Sequence, residues 1–211
     1  MNKDTYEFQA TNKALERYEW DDLWRIEAFD QNAPRLLSIG DSISRGYRHF
    51  LADAFRNVVC VDNYATSKAI DNPAFLKTIH LTMEQLGNCD VILFNNGLHG
   101  WHLNINEYKR HYDATIGELC EKYPDIKIVI ALTTPVRKNG EPDTIGERNG
   151  EVIKRNQVAL SIAEKYSLPY VDLYSVLIDR PDYFINDGVH LEDDGYIALA
   201  NKIHEKISEV L

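Results

Sequence analysis

From residue 35 onward, short apolar runs alternate with stretches whose apolar residues recur every three to four positions. The runs fall at 36–40, 57–62, 90–95, 126–132 and 169–173, and each gives way to a turn cluster or an amphipathic stretch. The spacing between them predicts helices over 45–55, 73–87, 105–123, 148–167 and 193–210. In the last of these, Tyr196, Ala200, Ile203, Ile207 and Val210 step along one face. Such alternation predicts five parallel strands with helices over both sheet faces and right-handed crossovers, a three-layer α/β/α sandwich. No internal repeat or low-complexity segment interrupts the pattern.

The residues ahead of this alternation read differently. Residues 1–34 form an aromatic and acidic extension, carrying Tyr6, Phe8, Tyr18, Trp20, Trp24 and Phe29, and 35–211 form the domain. Trp20, Leu23 and Trp24 share a helical face, which predicts packing against the domain or a second subunit and leaves room for a homo-oligomer. An aromatic wall for a sugar ring is the alternative.

Composition narrows the function. A chain of 211 residues suits one domain with one sizeable core, and its formal charge of −10 disfavours nucleic acid and anionic membrane surfaces as partners. Neutral or cationic small molecules are favoured instead. No apolar stretch is long enough to span a bilayer, and MNKDTYEFQA lacks the basic and apolar regions of a signal peptide. The expectation is a soluble, cytoplasmic chain, with export still open if a leader was removed. Cys60, Cys89 and Cys120 are odd in number and lack metal-ligand spacing, so reduced thiols are expected.

Two turns carry candidate chemistry. At Gly40-Asp41-Ser42 an apolar run stops and a helical pattern takes over, placing Ser42 at a strand's carboxyl end beside a helix N-terminus. A serine there can act as a nucleophile whose own N–H helps hold an oxyanion; equally, Asp41 or Ser42 can be a helix cap. Near the other end, Asp187-Gly188-Val189-His190 precedes the last helix, and an aspartate and histidine on one turn can serve a single pocket.

Gly40-Asp41-Ser42-Ile43 paired with Asp187-Gly188-Val189-His190 resembles the SGNH, or GDSL-like, hydrolase family, with Ile43 where the name-giving leucine would stand. The resemblance runs from about Arg35 to the C-terminus. It implies a flavodoxin-like strand order, 2-1-3-4-5, and a serine esterase that uses no cofactor or metal. Ser42 would be the nucleophile, His190 the base and Asp187 its partner.

The middle blocks depart from the family pattern. Asn63 and Ser67 match the second block, but Lys68 stands in its glycine slot. The resemblance implies an oxyanion donor in the Lys68 N–H, beside that of Ser42; the Lys68 ammonium either adds charge to the pocket or is solvated. Where the family's third block reads Gly-x-Asn-Asp, this chain has Asn95-Asn96-Gly97-Leu98-His99-Gly100, so His99 takes the asparagine's place by count and Asn96 has its chemistry. Either is a candidate third donor, and either could instead tie down the loop. His99 and His102 also suggest a metal pair, without a matched carboxylate. Asp41, Asn95, Trp101 and His102 are candidate substrate contacts, and the 136–149 loop is a candidate rim or lid.

Two functions are consistent with these residues. One is an esterase cleaving a small O-acyl ester, with O-acetyl groups on a carbohydrate as a candidate substrate. The other is a non-catalytic flavodoxin-like module that binds a small ligand or phosphate, its middle blocks degenerate.

Overall fold

The computed structural model describes residues 15, 16, 18–30 and 32–211; Tyr6 and Phe8 lie outside the described residues. The elements in chain order are β1 (Asp21–Trp24), β2 (Arg35–Gly40), α1 (Ser42–Ala54), β3 (Cys60–Thr66), α2 (Phe75–Leu86), β4 (Val91–Phe94), α3 (Ile105–Lys122) and β5 (Lys127–Ala131). They continue through β6 (Arg137–Lys138), β7 (Glu141–Ile145), α4 (Asn149–Lys165), β8 (Tyr170–Val171), α5 (Tyr174–Leu177) and α6 (Asp193–Val210).

Five of the strands, in the order β3-β2-β4-β5-β8, are parallel, which is the strand order 2-1-3-4-5. Both sheet faces are apolar because successive side chains point to opposite sides. Val91 and Leu93 of β4 enter the core that β2 shares with α1 and α6, whereas Ile92 and Phe94 enter the core shared with α2, α3 and α4. That double burial explains why the strands read as continuous apolar runs. No helix among the described residues is long and apolar enough to cross a membrane.

The sixth strand corrects the reading of the N-terminal segment. Trp20, Leu23 and Trp24 do not form a helical face: β1 pairs antiparallel with the edge of β3, from Asp21 opposite Thr66 to Trp24 opposite Asn63. Pairing with both neighbours carries β3 on to Thr66, past the expected end at 62, and buries the polar stretch Asp62, Asn63 and Thr66 completely. The start of β3 also shifts. Residues 57–59 complete the C-terminal turn of α1, where the N–H groups of Val58 and Val59 donate to Phe55 O at 2.9 and 3.1 Å.

Between β1 and β2 the chain is fastened by a buried ion pair at the amino ends of the parallel strands. Arg35 Nη1 donates to Asp62 Oδ2 at 2.9 Å with both side chains fully buried, while Nη2 donates to the carbonyls of Glu27 and Asp30, each at 2.7 Å. Removing one partner strands a charge in the interior, a change that costs about 3–5 kcal/mol. Asp62→Ala is therefore expected to lose stability of that order in urea unfolding monitored by circular dichroism. A loss below about 1 kcal/mol would show that the guanidinium keeps enough carbonyl partners to do without the carboxylate.

Candidate active site

The turn after β2 separates the two readings of Gly40-Asp41-Ser42. Asp41 is the cap: its backbone is extended, Oδ1 accepts the Ile43 N–H at 2.9 Å, and its carbonyl accepts from Ser44 Oγ at 2.8 Å. It is buried in that role, so the side chain expected to meet substrate also serves as part of the scaffold. Ser42 is the first residue of α1, three positions before the predicted start, and its hydroxyl is left to another partner.

That partner comes from the other end of the chain. His190 Nε2 lies 2.8 Å from Ser42 Oγ, and His190 Nδ1 lies 2.6 Å from Asp187 Oδ2. Asp187 Oδ1 accepts the N–H groups of Val189 and His190 at 2.8 and 2.9 Å. Burial pushes the Asp187 carboxyl up, but the hydrogen bonds from the His190 ring and these two N–H groups outweigh it and hold the pKa below the ordinary aspartate range. An ionised Asp187 draws the imidazole proton to Nδ1 and leaves the Nε2 lone pair facing the Ser42 hydroxyl.

The 136–149 loop, a candidate rim or lid, folds as the hairpin of β6 and β7 and braces this turn. Arg137 N–H donates to Gly188 O and Gly140 N–H to Asn186 O, both at 2.7 Å. The Arg137 side chain donates to Pro142 O at 3.1 Å and also to Ile178 O. Gly188 has φ +76°, and a Cβ there would lie 2.4 Å from Arg137 O, so the close approach needs a residue without a side chain.

The middle blocks are tied to one another. Lys68 is neither solvated nor turned into the pocket: its ammonium pairs with Asp21 of β1, and its N–H, expected to face an oxyanion, donates to Thr66 Oγ1 at 3.1 Å. Asn96 Nδ2 donates to Lys68 O at 2.9 Å, joining the two loops. Asn95, expected to meet substrate, donates through Nδ2 to Ala131 O at 2.7 Å and Thr133 Oγ1 at 3.0 Å, linking the ends of β4 and β5. His102, the other expected contact, has Nε2 2.8 Å from Asp71 Oδ2. Trp101 is half-buried, its ring covered by the guanidinium groups of Arg148 and Arg155 at 4.8 and 4.3 Å. Among the described residues no group of three or more His, Cys, Asp or Glu side chains could hold a metal ion.

His99 is 4% exposed. Its pKa is lowered to about 4, first by burial and then by the positive charges of Arg155 and His190, so the ring is neutral at ordinary pH. One residue that holds this loop escaped the sequence reading. Arg155 lies on the stripe of α4 that includes Val152, Asn156, Ala159 and Ile162, all buried, and a charged residue at a core position of a helical period was the available signal.

A cleft of about 810 Å³ opens at the amino ends of the parallel strands, lined by Pro34, Asp53, Arg56 and Cys60 among others, at the opposite edge of the sheet from Ser42.

Comparison with solved structures finds similar folds at low identity. A GDSL-like lipase from Bacteroides thetaiotaomicron has 18% identity over 84% of this chain and 89% of its own, with a TM-score of 0.62. Axe2, an acetylxylan esterase from Geobacillus stearothermophilus, has 16% identity over 84% and 96%, with a TM-score of 0.62. Est24, a carbohydrate acetylesterase from Sinorhizobium meliloti, has 13% identity over 84% and 100%, with a TM-score of 0.67. Comparison with curated protein sequences gives no match. Residues 38–198 match the model of the GDSL-like Lipase/Acylhydrolase family, a span that holds both the Ser42 turn and the Asp187–His190 turn. The chain therefore belongs to the GDSL-like lipase/acylhydrolase family, the SGNH hydrolases, and is a hydrolase of ester bonds.

Proposed function

We propose that this chain hydrolyses a small O-acyl ester, with O-acetyl groups on a carbohydrate as the substrate class, through an acyl-Ser42 intermediate. The observation that carries this reading is the unbroken hydrogen-bond chain from Ser42 Oγ through the His190 ring to the Asp187 carboxylate. Support for the acyl group and alcohol comes from the acetylxylan and carbohydrate acetylesterases of the same fold, and from a net charge that favours neutral substrates.

In this mechanism Ser42 Oγ attacks the ester carbonyl as its proton passes to His190 Nε2, and the negative charge of Asp187 stabilises the imidazolium that results. The carbonyl oxygen becomes an oxyanion beside the first turn of α1, where the Ser42 N–H has no intrahelical acceptor. Collapse breaks the bond to the alcohol, which leaves with the proton from His190. Water then repeats the sequence on the acyl-serine, releasing the carboxylic acid and restoring Ser42. His99 is read as the side-chain donor to the oxyanion. As a neutral imidazole it has one N–H to offer and, at ordinary pH, does not compete for the proton that His190 must take.

Ser42→Ala is expected to abolish turnover of a nitrophenyl acetate and labelling by a fluorophosphonate while the circular dichroism spectrum stays unchanged. Undiminished hydrolysis by the folded variant would remove Ser42 from the mechanism.

The pH dependence has a definite sign. Protonated His190 cannot accept from Ser42, so kcat/KM should fall on acidification across the ordinary histidine range, about 6–7. His99, held at about 4, is already neutral there and contributes nothing to this limb. A profile flat down to pH 5 would rule out a histidine base.

For the donor, His99→Ala should lower kcat by about 10²- to 10³-fold with little change in KM, the cost of one lost oxyanion partner. Asn96→Ala should cost less, since its amide already serves the Lys68 carbonyl. The reverse ranking would make Asn96 the donor.

A further inference from the structure

The loop 97–100 lies outside both strand and helix, and its backbone groups are met by two buried charges from opposite directions in the sequence. Arg155 Nη1 donates to Gly97 O at 3.0 Å and His99 O at 2.5 Å, and Nη2 donates to Gly100 O at 2.7 Å. Its guanidinium lies 4.3 Å from the Trp101 ring centroid and 4.6 Å from that of Tyr108. Carbonyls and ring faces meet the guanidinium directly, while the carboxylates of Glu151 and Glu16 act on its charge at longer range. Glu16 reaches the same loop from the segment ahead of β1: Oε1 accepts the Gly100 N–H at 3.0 Å and lies 3.9 Å from His99 Nδ1, with the glutamate side chain 3% exposed.

A brace for backbone groups needs no charge. The next residue of α4, Asn156, meets both Thr133 N–H and Thr133 O at 2.8 and 2.9 Å with a neutral amide. Burying a guanidinium and a carboxylate around four residues is costly, and it places a positive charge on the carbonyl side of the loop and an acceptor on its N–H side. We propose that Arg155 and Glu16 form a clamp that positions the His99 ring for the ester's oxyanion. They are positioning residues, and the inference rests on the reading of His99 as the donor. Glu16 lies outside the family-matched residues 38–198, so the N-terminal segment would complete the site as well as the sheet. The Arg155 charge also disfavours an imidazolium at His99, after the larger effect of burial.

The test compares R155K, R155M, E16A, E16Q and H99A for kcat, KM and fold by circular dichroism, and follows the His99 ring by NMR titration. R155K keeps the charge but cannot span three carbonyls, and E16A loses the Gly100 acceptor. Each should lower kcat by up to about 10²-fold, the cost of a donor held slightly out of place, with KM nearly unchanged. E16Q, whose amide oxygen still accepts from Gly100, should restore most of the rate lost in E16A. In R155M the His99 titration should move upward from about 4 while burial still holds it below the ordinary histidine range, with Glu16 and His190 the other charged groups facing the ring. Should the Arg155 variants unfold, E16A against E16Q makes the same comparison. A slow H99A beside clamp variants with wild-type kcat would overturn the clamp alone. H99A with wild-type kcat would overturn the donor reading, and the clamp's catalytic role with it.

Discussion

Loops leaving the carboxyl edge of a parallel sheet carry N–H and C=O groups that neither strand nor helix takes up, and the geometry of this site depends on how those groups are met. Side chains meet several of them here. Asp41 holds the Ile43 N–H in the first turn of α1, Asn95 joins β4 to β5, Asn96 joins the second and third loops, and Asp187 holds its own turn. Each bond is modest alone. Together they hold Ser42 Oγ within 2.8 Å of a histidine 148 positions away.

The same constraint separates two imidazoles in one neighbourhood. His190 faces an ionised carboxylate that fixes its tautomer and stabilises its charged form, as a base requires. His99 sits in a dry environment beside a guanidinium, where a second positive charge is unfavourable, so it stays neutral with one N–H to donate. Two identical side chains thus differ in protonation because one is given a counter-charge and the other is denied a cation's solvation.

Membership of the GDSL-like lipase/acylhydrolase family accounts for the outer blocks, and the departures lie where this chain has added contacts. Lys68, in place of a glycine, reaches outward to Asp21 and helps hold β1 on the edge of β3, where Ser67 Oγ also accepts the Trp20 N–H at 2.9 Å. An otherwise open sheet edge is thereby covered by a strand from outside the matched region.

Strand and helix alternation, five parallel strands and the pairing of the Ser42 turn with the Asp187–His190 turn were legible in the sequence. They depend on local periodicity and on residue types at short spacing, which one chain displays directly. What tertiary structure decided lies between segments distant in sequence. Residues 21–24 carry a helix-compatible spacing yet form a strand, because the edge of β3 offers unpaired N–H and C=O groups that local sequence cannot announce. Asn95, His102 and Lys68 look like pocket residues by position, and only the fold shows that Asn95 Nδ2, His102 Nε2 and the Lys68 ammonium are engaged with Ala131, Asp71 and Asp21. Arg155 carries no motif at all. Its place against the carbonyls of 97, 99 and 100 follows from the packing of α4 beneath that loop, since a buried charge finds its partners only when the chain has closed around it.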